Sequence, residues 1–323
     1  MPSNSLLLGS TGLAHGAPGD VKVALLSGGV GGARFARGLQ AALAPGALTV
    51  IGNVGDDVEV LGLHISPDLD SILYALADLH DEERGWGRAG ETWNALESAA
   101  AWGGEGWFRL GDLDIGLHLV RTQALRAGEP LSSVTVRLTE AAGLTTRLVP
   151  ATDDPLRTHL VTPAGRFGFQ KWFVGRGHRD EVDEVVFDGS DSAAPAPGAL
   201  EALRGADAIL IAPSNPYVSI QPILAVRAIR EALVSRAARC VAVSPLIGGR
   251  AVKGPADRML LRMAGGTTPR HVAERYGGLI DALVIDASDS PAEADVPIVV
   301  TSTLMTDLEA ARRLAEVALE AAA

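Results

Sequence analysis

The sequence predicts a doubly wound α/β protein built on a mostly parallel, Rossmann-like sheet, with a largely helical inserted subdomain that carries a small β element. Three observations lead there. Short continuous apolar runs rich in β-branched residues recur along the chain, as strands covered on both faces require. Helical stretches alternate with them. The first run stops at a glycine-rich turn that passes directly into a helix, the strand–loop–helix unit of nucleotide-binding sheets.

Residues 1–20 come before the first run. Their Gly, Ser and Pro content, with no cationic segment ahead of Leu6-Leu7-Leu8, reads as a mobile tail or an upstream start and not as a secretory signal. Residues 21–26 form the first strand and 33–43 the first helix, with Ser27-Gly28-Gly29-Val30-Gly31-Gly32 between them. A second strand, 48–51, ends at Gly52-Asn53-Val54-Gly55-Asp56-Asp57. Later strands at 208–211, 240–243, 282–285 and 298–300 alternate with helices near 222–235, 255–264, 269–276 and 307–321. Residues 21–70 and 199–323 thus make the nucleotide-binding core.

Residues 71–198 read as the insertion. Helical patterns at 70–79, 91–102, 112–127 and 132–142 lead to β-type runs at 147–150, 158–162 and 166–174, the last two joined by a hairpin turn at 162–165. Residues 190–198, rich in Ser, Ala and Pro, form the linker back to the core.

Composition restricts the function. The 323 residues carry 28 basic and 39 acidic side chains, a formal charge of −11, which excludes a broad electrostatic grip on nucleic acid. No apolar run approaches the roughly 20 residues of a membrane span. The single cysteine, Cys240, excludes a disulfide framework or a cysteine-based zinc site, and falls inside an expected strand as inert core. A cytoplasmic protein fits. An anionic substrate must be held locally, by backbone amides, a few cations or a metal.

The loops after the strands are where such a site belongs. Ser27 to Gly32 lets backbone N–H groups approach a phosphate, or else serves tight strand-to-helix packing; it is neither a Walker A loop nor a dinucleotide fingerprint. Asp56 and Asp57, with Asp68 and Asp70 at the start of the next helix, suit a hard cation such as Mg²⁺, although Asp68 and Asp70 are equally placed to cap that helix. Pro213-Ser214-Asn215-Pro216 offers Ser214 and Asn215 to a ligand, or is a rigid strand-ending turn. Ser244 to Gly249, then Lys253-Gly254-Pro255-Ala256, offers amides at a helix start and one cation that is otherwise solvated. Asp114, His118 and Arg121 share a helix face toward a cleft or toward solvent, and Trp86 and Trp93 can stack on a planar ring or pack in the core.

Eight of these segments in this order, S-G-G-V-G-G-A-R (27–34), G-N-V-G-D-D (52–57), S-P-D-L-D-S-I-L-Y (66–74), R-G-W-G (84–87), G-D-L-D (111–114), P-S-N-P (213–216), S-P-L-I-G-G (244–249) and K-G-P-A (253–256), resemble the 2-phospho-L-lactate transferase family of coenzyme F420 biosynthesis. The resemblance implies transfer of a phosphoenolpyruvyl or 2-phospho-L-lactyl group from a guanylated diphosphate donor to the terminal ribityl hydroxyl of the deazaflavin FO, giving dehydro-F420-0 or F420-0 and releasing GMP. R-G-W-G and Glu91-Thr92-Trp93-Asn94 look closer to the actinobacterial, phosphoenolpyruvate-transferring branch, whose product is dehydro-F420-0. It further implies a Mg²⁺-dependent homodimer. By the family pattern Asp57 and Asp70 are the catalytic metal ligands, with Asp56 and Asp68 as close alternates. Gly29, Val30, Gly31 and Gly32 would hold the diphosphate; Ser214, Asn215, Gly248 and Gly254 would line the guanosine site, with Lys253 beside it. Trp86 and the helix bearing His118 and Arg121 would flank FO. The family often has arginine where this chain has Leu113, so that contact is lost or supplied by Arg121 or Arg88. Two other functions share the strand and glycine loop: a nicotinamide-dependent oxidoreductase, against which the glycine spacing argues, and a guanine-nucleotide binder without turnover.

Overall fold

Every apolar run assigned to the sheet forms a strand in the computed structural model, which describes residues 21–291 and 294–323. The expected tail at 1–20 lies outside the described residues. Along the chain, β1 (Val23–Ser27) leads into α1 (Gly29–Ala42) and β2 (Leu48–Gly52). A hairpin of β3 (Val58–Val60) and β4 (Leu63–Ile65) precedes α2 (Pro67–Leu76), α3 (Asn94–Ala101), α4 (Asp112–Arg126) and α5 (Leu131–Ala141). Then come β5 (Arg147–Pro150), β6 (Arg157–Thr162), β7 (Gly165–Gly168), β8 (Glu184–Asp188) and α6 (Ala199–Arg204). The last third runs through β9 (Ala208–Ile211), α7 (Gln221–Ala225), α8 (Arg227–Val234), β10 (Arg239–Val243), β11 (Leu246–Ile247), β12 (Arg250–Ala251), α9 (Ala256–Ala264), α10 (Pro269–Tyr276), β13 (Ala282–Asp286), β14 (Ile298–Thr301) and α11 (Leu308–Ala321).

The seven-stranded central sheet has the order β14-β13-β10-β9-β1-β2-β5, and every neighbouring pair is parallel. The chain builds outward from β1 through β2 to β5, then returns to β9 and builds the other way. The crevice between β1 and β9 is the topological switch point at which doubly wound sheets bind ligands. Alternate residues of β1 serve different cores: Val23 and Leu25 pack with α1, α2 and α11 on one face, Ala24 and Leu26 with α6, α8 and α10 on the other. Both faces are covered, which is why these strands read as unbroken apolar runs.

Five details differ from the sequence expectation. The 147–150 run, expected within the 71–198 insertion, is β5, the edge strand beside β2. The 166–174 run splits into β7 and a wide helical turn at Lys171–Gly175, and β7 belongs to a small antiparallel sheet with β6 and the unanticipated β8. The 222–235 helix breaks at Val226, whose ψ of 100° is extended, giving α7 and α8. α2 starts at Pro67, its fixed φ suited to a first helical turn. α1 begins at Gly29, so the glycine loop is itself the first turn of the helix.

Glycines in helices mark close approaches here. Gly38 lies in α1 where α11 crosses it, and a Cβ on Gly38 would collide with the backbone carbonyl of Ala311. Gly116, exposed on α4, has nothing within 4 Å of the same position. Intrinsic propensity favours Ala over Gly at both sites. We expect Gly116→Ala to stabilise the protein by up to about 1 kcal/mol, and Gly38→Ala to destabilise it by about 1–3 kcal/mol through overpacking, both measured by urea denaturation.

Candidate active site

At the switch point a cavity of about 250 Å³ is bounded by Gly28–Gly31, the 213–219 loop after β9, the 244–247 loop after β10, residues 252–256 and residues 303–305, with Phe169 and Phe173 at one side. The glycines do two jobs. Gly31 and Gly32 let α1 lie against the β9 loop, where a Cβ on Gly31 would stand 2.6 Å from the Pro213 carbonyl oxygen and one on Gly32 2.6 Å from Ser214 Oγ. Gly29, at φ +69°, takes a left-handed conformation that a larger residue resists. Of the residues expected at the donor, Gly29, Val30, Gly31, Ser214, Asn215, Lys253 and Gly254 line this cavity.

Gly248 and Gly32 stand apart from that lining. Gly248 sits on the β11–β12 turn beside Ser288, next to Gly249, whose N–H donates to Asp289 Oδ1 at 2.7 Å. The amide of Asn215 is already engaged: Oδ1 accepts from the Tyr217 N–H at 2.9 Å, capping the Pro216–Ile220 turn, and Nδ2 lies 3.4 Å from Met259 Sδ. Ser214 Oγ donates to the Gly28 carbonyl at 2.7 Å.

Asp56, Asp57, Asp68 and Asp70 converge beyond β2 and at the start of α2, all buried. They are not equivalent. Asp70 receives a two-pronged ion pair from Arg121, Nη1 to Oδ2 at 3.0 Å and Nη2 to Oδ1. Burial works against the Arg121 charge, but Asp70 more than offsets it. His118 Nδ1 is 3.3 Å from Arg121 Nη1, and burial lowers its pKa to about 4, so the ring is neutral. His118 and Arg121 are therefore sunk beside Asp70, each only 2% exposed, and not spread along a cleft wall.

The other three acids have no cation of that kind. Asp57 Oδ2 takes Ser66 Oγ at 2.9 Å and faces His64 Nε2 at 3.0 Å. Asp68 Oδ2 accepts from Asn53 Nδ2 at 2.8 Å, while the Asn53 side-chain oxygen accepts the Gly55 N–H at 2.8 Å. Oδ1 of Asp56 and Oδ1 of Asp57 are buried without a hydrogen-bond partner. Burial, then the Asp68 and Asp57 charges, push the Asp56 carboxyl well above the usual range. Asp68 is pushed up to about 6, chiefly by burial.

A second cavity, of about 340 Å³, opens on Asp56 and Asp57 and is walled by Trp107, Arg157, His159, Gln170 and Lys171. Phe169 lines both cavities. Lys171 Nζ lies over the Trp107 ring, 4.6 Å from its centre. Trp107, Lys171 and His64 escaped the sequence reading because nothing in their local pattern marks them. Arg34, which lines the first cavity, carried a signal that was there to use: it closes the S-G-G-V-G-G-A-R segment as a cation in the second turn of α1.

Trp86 is 41% exposed and borders a cleft of only about 20 Å³ on the flank of α1. The Arg84 guanidinium packs over both Trp86 and Trp93, and Arg109 covers Trp93 from beyond. The G-D-L-D segment is explained locally. Gly111 admits the Glu91 side chain, whose carboxylate accepts the Leu113 and Asp114 N–H groups, both at 2.8 Å. Asp112 accepts the Ala95 N–H at 3.0 Å and so caps α3. Asp114 accepts from the Tyr74 hydroxyl at 2.5 Å, and burial pushes its pKa up to about 6. Leu113 points outward, Arg121 is held by Asp70, and Arg88 acts on Asp114 through its charge.

Residues 23–313 match the family described as 2-phospho-L-lactate transferase CofD. The chain is 43% identical over 310 residues to a phosphoenolpyruvate transferase of Streptomyces coelicolor, covering 93% of this chain and 97% of the relative. It is 42% identical to a phosphoenolpyruvate transferase of Thermobifida fusca, with 94% and 98% covered, and 40% identical to one of Mycolicibacterium smegmatis, with 94% and 99% covered. Among solved structures, a UPF0052-family protein of Bacillus halodurans shares the fold with a TM-score of 0.61 at 18% identity, covering 93% of this chain and 99% of that one.

The burial of Arg121 sets a stability test. Replacing it by Met leaves the Asp70 carboxylate buried and unpaired, so Arg121→Met should cost about 3–5 kcal/mol in urea denaturation. A loss under about 0.5 kcal/mol is what a solvated helix face gives.

Proposed function

This chain belongs to the 2-phospho-L-lactate transferase CofD family, and we propose that it transfers an enolpyruvyl phosphate from a guanylated diphosphate donor to FO. It is a phosphotransferase of coenzyme F420 biosynthesis. Support for the finer reading rests on one observation above the others: two buried carboxylates with unpartnered oxygens border one cavity, while the neighbouring cavity, at the switch point, is lined by no carboxylate.

The donor belongs in the switch-point cavity. The phosphate that stays with GMP faces Val30 and Gly31 in the first turn of α1, where the helix dipole favours an anion, while the Gly29 N–H is donated to Asp68. Ser214, Asn215 and Gly254 border the remainder, around the guanosine. FO belongs in the second cavity, its ring against Trp107 and its ribityl chain directed to Asp56 and Asp57. The hydroxyl oxygen forms the new bond to phosphorus as the bond to the departing GMP oxygen breaks, and the hydroxyl proton passes to the acid pair. The product holds a phosphodiester. Trp86, expected to flank the ring, borders a cleft too small to hold it.

Mg²⁺ fits the acid pair. Orphaned oxygens on Asp56 and Asp57, with Asp68 close behind, make a pocket of uncompensated charge, whereas both oxygens of Asp70 are on Arg121. Among the described residues no three His, Cys, Asp or Glu side chains are already grouped as a metal site. Mg²⁺ takes one or two carboxylates and completes its shell with water and phosphate oxygens. When bound it would neutralise phosphate charge and polarise phosphorus. Asp70 then acts by fixing Arg121 against α2. We expect small-molecule substrates and a homodimer in the cytoplasm; no helix among the described residues is long and apolar enough to cross a membrane.

Purified protein incubated with FO, Mg²⁺ and each guanylated donor in turn, with products identified by mass, tests the reading. Dehydro-F420-0 and GMP from the enolpyruvyl donor are expected. Saturable NAD or NADP binding without FO binding would favour an oxidoreductase, and nucleotide binding with no product from any donor would favour a sensor. Asp57→Asn should abolish transfer and leave a folded protein.

The acid cluster also sets a pH dependence. Asp68 titrates near 6 in the fold against 3.8 as its ordinary value, so the folded state binds the extra proton between those pH values. Stability from this group therefore falls as pH rises through that window and stays low above it. Mg²⁺ relieves the same penalty, so its increment in melting temperature should be larger at pH 7.5 than at pH 5. Asp56→Asn should raise the metal-free melting temperature at pH 7.5 and shrink that increment.

A further inference from the structure

Arg34 and Lys253 are the two cations lining the switch-point cavity. In a chain with eleven excess negative charges, neither has a carboxylate within 4.0 Å among the described residues. Their partners are neutral: Arg34 Nη1 donates to the Met305 carbonyl at 3.1 Å, and Lys253 Nζ to the Gly85 carbonyl at 3.3 Å. They also converge. A Cβ on Gly85 would collide with Lys253 Nζ and stand 4.0 Å from Arg34 Nη2. Two like charges held close beneath the 84–87 loop repel, and a polyanion between them removes that cost.

We propose that Arg34 and Lys253 form a clamp for the part of the donor that GMP lacks, the second phosphate and the acid joined to it. The proposal rests on the guanylated-donor reading and adds a division of labour to it. The α1 amides and the loops after β9 and β10 hold what donor and product share. The clamp holds only what transfer removes from the nucleotide. Charge-assisted hydrogen bonds to a phosphate are stronger than neutral ones, and Arg adds a fork matched to it. Donor affinity therefore exceeds product affinity by the clamp's contribution, and GMP leaves once the bond is cut. Arg34 and Lys253 are specificity-determining residues in this account.

Calorimetric titration of GMP and of GDP, at fixed Mg²⁺, into wild type, Arg34→Gln and Lys253→Met tests it, with GDP as the probe that carries the second phosphate. Lys253 is exposed, so its variant stands even if Arg34→Gln perturbs folding. Wild type should bind GDP more tightly than GMP. Each variant should weaken GDP about tenfold or more and GMP less than about twofold. Equal loss for both nucleotides, or no loss for either, would overturn the clamp and leave the transferase reading in place. A wild type that binds neither nucleotide would overturn the guanylated-donor reading, and the clamp with it.

Discussion

Buried negative charge in excess of buried positive charge is the constraint around which the C-terminal edge of this sheet is arranged. Four aspartates are placed there by the loop after β2 and the first turn of α2, and one guanidinium, Arg121, is buried with them. It neutralises Asp70 one for one. Asp56, Asp57 and Asp68 have no paired cation of that kind and are held by neutral donors, a histidine ring and the more distant Arg121 charge, against burial and each other's repulsion. A fold selected for stability alone would not retain such a group, since burying an uncompensated carboxylate is among the more costly local choices. Sites that break the local rules in this way are where function is expected to sit.

The consequence is a separation of charge into neighbouring compartments. Phe169, stacked on Phe173, stands where the two cavities meet. On one side lie amides, hydroxyls and two cations; on the other, the acid pair with an aromatic ring and further cations at its rim. In the proposed reaction this division would keep the nucleotide anion apart from the hydroxyl-bearing acceptor until they meet. The net charge of −11 says nothing of this, because it averages a cationic cavity with acidic surroundings.

Much of this was legible in the sequence. The six sheet strands, the glycine turn and the acids were read from apolar continuity and turn chemistry, which are local properties. What escaped was decided by distant partners. Arg147–Pro150 is short and ambiguous alone and becomes a sheet strand only because β2 presents an open edge to it. The glycines of α1 look like a loop because their need for smallness comes from Pro213 and Ser214, far along the chain. His118 and Arg121 were rightly grouped on one helix face, but whether that face met solvent or Asp70 is not a property of the helix. Cys240, fully buried within β10, came out as inert core, its thiol pushed up to about 12 by burial.

Where a divalent cation sits decides whether the acid pair serves the proposed transfer. Crystals grown with Mn²⁺ and a guanine nucleotide, measured at a wavelength where manganese scatters anomalously, test that directly. A peak within about 2.2 Å of carboxylate oxygens of Asp56 and Asp57, bridged to the nucleotide's phosphates, is the expected result. A nucleotide bound at the switch point with no peak at those carboxylates, and with their oxygens still unpartnered, would contradict the account.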